Sequence, residues 1–244
     1  MSMAVKKQTI LLSMVAMLLS NLAVINTAAA KDDNATLSSH LTDSNVAQVN
    51  PGVATNVSTQ ADKGLQPIST AVRLISRGNK LARDAKKQIG VTTGYDDTYR
   101  KIDFPRGDVP QNTGVCSDVV IRAYRLQNID LQQLVNRDMT RHWSAYPKLW
   151  GLDKPDSNID HRRVPNLEVF FQRHGKSLSK SDRDSFQAGD IVTWRLPNSN
   201  LPHIGIVSNK RSIEGTPLII HNIGQGTQQE DILFKYPIKG HYRY

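Results

Sequence analysis

Residues 189–221 read GDIVTWRLPNSNLPHIGIVSNKRSIEGTPLIIH, and the fold class follows from how this stretch is punctuated. Ile191-Val192-Thr193-Trp194, His203-Ile204-Gly205-Ile206-Val207 and Pro217-Leu218-Ile219-Ile220-His221 are short runs rich in β-branched residues. Pro, Asn, Gly and Ser separate them, which is the pattern of successive strands. Ile232-Leu233-Phe234-Lys235-Tyr236 is expected to be a fourth. The loops between these runs are too short for crossover helices, so the sheet is predicted to be mainly antiparallel.

Upstream the period changes from two to about 3.6. A helix is expected from about Thr70 to Lys87, with Val72, Ile75, Leu81 and Ala85 as an imperfect apolar face and Gly90 as its stop. Residues 91–115 carry Gly94, Pro105, Gly107, Pro110 and Gly114 and read as irregular. A second helix should start at Cys116 and run to about Gln127. A third should run through Met139, with Asp130 at its N-cap. A fourth should cover Val164–His174, with Pro165 in its first turn and Gly175 past its end. Helices first and strands later predict an α+β domain, its N-terminal helices packed on the sheet.

The first thirty residues have a different character. Lys6 and Lys7 precede an apolar stretch from Ile10 to Ile25, and Ala28-Ala29-Ala30 follows it. This is the pattern of a secretory signal peptide, cleaved near Lys31. It predicts a periplasmic or secreted protein with no stable membrane span after cleavage. Residues 31–68 are polar, aperiodic and free of aromatic residues, and read as a disordered linker. All three Trp, seven Tyr and five Phe fall in residues 69–244, a length that suits one compact domain. The formal net charge is +9, or +7 once Lys6 and Lys7 are removed. It favours anionic surroundings such as wall polymers. Export argues against nucleic acid.

Cys116 is the only cysteine, so no internal disulfide can form. It sits where Thr113-Gly114-Val115 turns into the second predicted helix. Unpaired N–H groups and the helix dipole at such a terminus favour a thiolate, and a depressed pKa is expected there. Cys116, Val119, Val120 and Ala123 share one helix face, which should pack on the sheet. A buried Cys in an apolar stripe is also an ordinary packing residue. On the strand after Pro202, Ile204 and Ile206 share one face and His203 and Gly205 the other. The absent side chain at Gly205 is expected to let the helix tip approach beside the His203 imidazole. On the next strand either His221 or Asn222 can hold the second nitrogen of His203. The reading is therefore Cys116 as nucleophile, His203 as base, and His221 or Asn222 as orienting residue.

The order of these residues resembles that of the NlpC-like, papain-like cell-wall cysteine peptidases. In that family a Cys heads a helix, a strand opens on Gly-Asp, the next strand carries His, and a third polar residue follows. Gly189-Asp190, His203-Ile204-Gly205-Ile206-Val207 and Ile219-Ile220-His221 correspond in turn, although Cys116 is followed by Ser117-Asp118-Val119 where that family usually has Ser-Gly. A broader resemblance runs from about Ala82 to Tyr244. Gly107-Asp108-Val109-Pro110, Gly114-Val115-Cys116-Ser117-Asp118-Val119-Val120-Ile121-Arg122, Asn158-Ile159-Asp160-His161-Arg162-Arg163 and His221-Asn222-Ile223-Gly224 are similar to signatures of DUF1287, a family of exported bacterial proteins.

The resemblance implies a papain-like fold and a cofactor-free cysteine hydrolase cleaving amide bonds of peptidoglycan, as endopeptidase or amidase. An acyltransferase would use the same residues. A non-catalytic envelope protein that binds wall peptides in the same cleft is the alternative. Asp118, Arg162, Arg163 and Asn222 are the expected substrate contacts, because guanidinium groups bind the carboxylates of a stem peptide bidentately. Capping and helix-dipole roles compete for the same residues. No His-Glu-x-x-His or Cys-x-x-Cys pattern predicts a metal. There is no phosphate-binding glycine loop to predict a nucleotide cofactor. Tyr95 and Tyr99 precede the nucleophile, as a Tyr commonly does in NlpC-like sites.

Overall fold

A computed structural model describes residues 66–244; the expected signal peptide and all but the end of the expected linker lie outside the described residues. Among the described residues four α-helices precede most of the sheet: α1 Gln66–Lys86, α2 Cys116–Arg125, α3 Leu131–Arg141 and α4 Val164–His174. The strands are β1 Lys176–Ser177, β2 Ile191–Arg195, β3 Pro202–Arg211, β4 Pro217–Asn222, β5 Thr227–Glu230 and β6 Ile238–Arg243. They form one sheet in the order β1-β6-β2-β3-β4-β5, and every neighbouring pair is antiparallel. The architecture is α+β. Among the described residues no helix is long and apolar enough to cross a membrane.

Strand alternation divides the sheet into two faces. Ile191, Ile204, Ile206 and Ile220 join Val119, Val120, Ala123, Leu167 and Phe171 from α2 and α4 in one core. Val192, Trp194, Val207 and Ile219 point the other way, into a smaller core with Phe186, Ile232 and Leu233. Cys116 belongs to the helix-side core, with Val119, Val120 and Ala123 on its own face of α2. Those apolar contacts fix the helix against the strands through burial.

Two local expectations need correction, and a third, the N-cap at Asp130, holds without a side-chain capping bond. Residues 232–236 are not a strand but turns covering the second core, and the Leu233 carbonyl accepts the indole N–H of Trp194 at 3.0 Å. A short apolar run satisfies a strand and a buried turn equally well. The first helix starts at Gln66, and its apolar face packs only in its C-terminal half: Leu81, Ala82 and Ala85 are buried, whereas Val72 and Ile75 are exposed. Gly78 marks the changeover, because a Cβ there would collide with the carbonyl of Ala188. Asp130 occupies the N-cap of α3 but makes no capping hydrogen bond; its Oδ2 accepts the N–H of Arg106 at 2.9 Å instead.

The Gly189-Asp190 pair at the head of β2 is an anchor. Gly189 has φ of 87° and lies against the backbone of Gly78, where only glycine fits. Asp190 is buried and takes hydrogen bonds from Arg243 at 2.6 and 2.8 Å, with His241 Nε2 also 2.8 Å away. This clamp ties β6 to the start of β2.

Candidate active site

Cys116 is the first residue of α2, and the loop before it is held from three sides. The Asn222 amide donates to the carbonyls of Gly94 and Gly114 at 3.1 and 3.0 Å. Asp118 Oδ2 accepts the N–H of Val115 at 2.7 Å, covering a backbone donor that the helix leaves unpaired. Arg162 grips both oxygens of Asp118 at 2.9 Å, and the Ser117 hydroxyl donates to the Arg162 carbonyl at 2.7 Å. Arg122, one turn further on, binds Asp108 and the carbonyls of Val109 and Pro110. Irregular residues 91–115 are thereby fastened to a regular helix.

The thiol is 5% exposed and lies against the backbone N–H of Ile204 on β3. Burial pushes its pKa up to about 12. The N–H groups of Ile204, Ser117 and Cys116 itself oppose that rise, and the Asp118 charge adds to it. The expected depression by the helix terminus is therefore overturned. Removing a thiolate from water outweighs the partial charge of one helix end. No hydrogen bond joins Sγ to the His203 imidazole among the described residues; the thiol meets the residue next to it in the chain.

His203 and His221 lie on the opposite face of the sheet from Ile204, with their rings edge to face. His203 Nε2 and His221 Nδ1 are 3.0 Å apart. His221 Nε2 lies 2.8 Å from Glu230 Oε2. His203 is 2% exposed and packs against Trp194, its partner on β2. Burial, reinforced by the neighbouring His221, lowers its pKa to about 3. The ring is neutral near pH 7. A Cβ on Gly205 would sit 2.6 Å from Ile219 Cγ2 and 3.2 Å from His221 Cβ. The glycine thus makes room for β4 and for the second imidazole rather than for the helix tip.

Of the two candidates for orienting His203, His221 makes the contact. Asn222 faces the other side and holds the loops that precede Cys116. Asp118 and Arg162 are both buried, and each is consumed by the other, so neither is presented to a ligand in this conformation. Arg163 pairs with Asp160 at 2.7 Å and lies over the Trp150 ring. Tyr95 is half-exposed, and its pKa is raised first by burial and then by negative charge at Cys116, Asp97 and Asp118. Glu230 was not expected. The strand that carries it, Thr227-Gln228-Gln229-Glu230, has no apolar alternation to reveal it. Among the described residues no group of three or more His, Cys, Asp and Glu side chains is arranged to hold a metal ion.

Fold and site together define an α+β domain with a helix-tip cysteine packed on one face of an antiparallel sheet and a His–His–Glu chain on the other. The chain belongs to the DUF1287 family, described as a domain of unknown function, which matches residues 82–244. It is 55% identical over 177 residues to the uncharacterized protein YijF of Escherichia coli (strain K12), covering 72% of this chain and 86% of that protein. No solved structure matches it.

Proposed function

We propose that the chain is an exported, papain-like cysteine hydrolase cleaving amide bonds of cell-wall peptidoglycan, with Cys116 as nucleophile and His203 as base. The observation that carries this reading is the position of the only thiol at a helix tip, touching the residue adjacent to an imidazole whose other nitrogen is already engaged. Nucleophile, base and orienting group follow one another along the chain as Cys116, His203 and His221, and of the two contacts that activate a thiol the one between base and orienting group is in place at 3.0 Å. The site starts from a neutral thiol and a neutral imidazole. In this structure His203 packs on Trp194, on the face of the sheet away from the core that holds Cys116, so the reaction requires Nδ1 of His203 to be brought within reach of the thiol and to take its proton as the sulfur forms a bond to the carbonyl carbon. The Cys116 backbone N–H stabilises the developing oxyanion. The imidazolium returns the proton to the leaving amine, the C–N bond breaks, and a thioester remains. Water, deprotonated by the same ring, then releases the acid and restores the thiol.

The peptidoglycan substrate rests on the sequence: the signal-peptide pattern, the basic balance and the resemblance to NlpC-like peptidases. Two observations favour the alternative, a non-catalytic protein that binds wall peptides. The thiol is nearly sealed, and it is not hydrogen-bonded to His203. Digestion of purified sacculi by the wild type and by Cys116→Ala, with mass analysis of the soluble fragments, separates the two. The hydrolase releases peptide-terminated fragments that the variant does not release. Equal fragment patterns from both, or none from either with retained binding to sacculi, favours the binder.

A further inference from the structure

We infer that Glu230 is a positioning residue that fixes the protons on both imidazoles and leaves Nδ1 of His203 as the free lone pair. The valence of the hydrogen-bonded chain dictates where each proton sits. An ionised carboxylate only accepts. With Glu230 Oε2 2.8 Å from His221 Nε2, that nitrogen must carry the hydrogen. A neutral imidazole has one N–H, so Nδ1 of His221 is then an acceptor. His203 Nε2, 3.0 Å away, must donate to it. Nδ1 of His203 is left unprotonated, and it has no hydrogen-bond partner among the described residues. Without the carboxylate the chain can run the other way: His221 Nδ1 donates, His203 Nε2 accepts, and Nδ1 of His203 carries a hydrogen and cannot act as a base.

The sheet register explains how Glu230 reaches this position. On β5 Glu230 pairs with Ile219, and Gln228 pairs with His221. Glu230 and His221 are therefore diagonal neighbours on one face, a separation that a long side chain spans. The Glu230 side chain is 47% exposed. Its ionised form is favoured by the hydrogen bond from His221, against a desolvation cost, and by the charge of Lys235. It stays a carboxylate near neutral pH, while His203 stays neutral. At the edge of the sheet, with half its surface in water, it is a position where Gln fits without disturbing the fold.

This inference rests on His203 being the base of the proposed reaction, but its first readout does not require activity. Heteronuclear NMR of the full-length protein, with labelled imidazole nitrogens, reports the tautomer of each ring. We expect His203 in its Nε2–H form in the wild type. In Glu230→Gln we expect a shift toward the Nδ1–H form, and in Glu230→Asp a return where the shorter carboxylate reaches. Against a wall-derived substrate, Glu230→Gln should lose about ten-fold or more in kcat with KM little changed, because a wrong tautomer disables the base rather than binding. An Nδ1–H tautomer in the wild type, or the same tautomer in wild type and Glu230→Gln, overturns the inference. The expected tautomer shift in a wild type that cleaves no wall substrate upholds it and removes the hydrolase instead.

Discussion

Two imidazole–carboxylate pairs lie on the same sheet and come to opposite ends. His241 has both nitrogens engaged, Nδ1 with the Ser179 carbonyl at 2.7 Å and Nε2 with Asp190 at 2.8 Å, and its ring stacks on Phe186. Arg243 completes the cluster, and no valence is left over. His221 also meets a carboxylate at 2.8 Å, but its second nitrogen passes the contact on to His203, whose Nδ1 has no protein partner among the described residues. The ingredients and the strand geometry are alike. A closed set of hydrogen bonds makes a clamp, and an open one makes a candidate base. Burial is not the discriminator, since all three imidazoles are buried.

That contrast is broken most severely at the clamps. Asp118→Ala strands the Arg162 guanidinium in the interior, and a loss of about 3–5 kcal/mol in unfolding free energy is expected. Asp190→Asn should cost about 3 kcal/mol by leaving Arg243 and His241 around a neutral amide. Both losses are measured by urea denaturation. His203→Gln should cost far less stability while removing the proposed base, so the two kinds of cluster separate on a plot of stability against activity.

The pH dependence sharpens the contrast further. His203 and His161 both have pKa values lowered to about 3, chiefly by burial. Between that value and the unfolded pKa near 6.5 the unfolded chain binds a proton that the folded chain does not. Stability therefore rises with pH across this window, by about 1.4 kcal/mol per pH unit for each such ring. Unfolding free energies measured from pH 4 to pH 7 should show this slope. Replacing either ring by Gln should remove about one proton's share of it. An unchanged slope in both variants means that the folded protein protonates these rings readily, and the account of their burial is then wrong.

Much of the fold was legible because local chemistry agreed with it. Pro165 and Gly175 bracket α4, β3 contains the alternating run His203–Val207, and the apolar stripe on α2 put Cys116 against the sheet. What was hidden lay in long-range pairing. Asp118 and Arg162 are 44 residues apart, and nothing in either neighbourhood says that they neutralise each other rather than a ligand. Glu230 sits on a polar strand without alternation, so neither the strand nor its contact with His221 could be read. The thiol's pKa depends on a competition between helix terminus and desolvation. Sequence supplies the first of these and is silent on the second.

The central claim is that the Cys116 sulfur can be acylated with help from His203. Brief exposure of the folded protein to p-nitrophenyl acetate at neutral pH, followed by intact mass and peptide mapping, tests this without any need to know the natural substrate. The account predicts a thioester on Cys116 in the wild type that His203→Ala does not form. No acylation of Cys116 in the folded wild type, or equal acylation in His203→Ala, would contradict it.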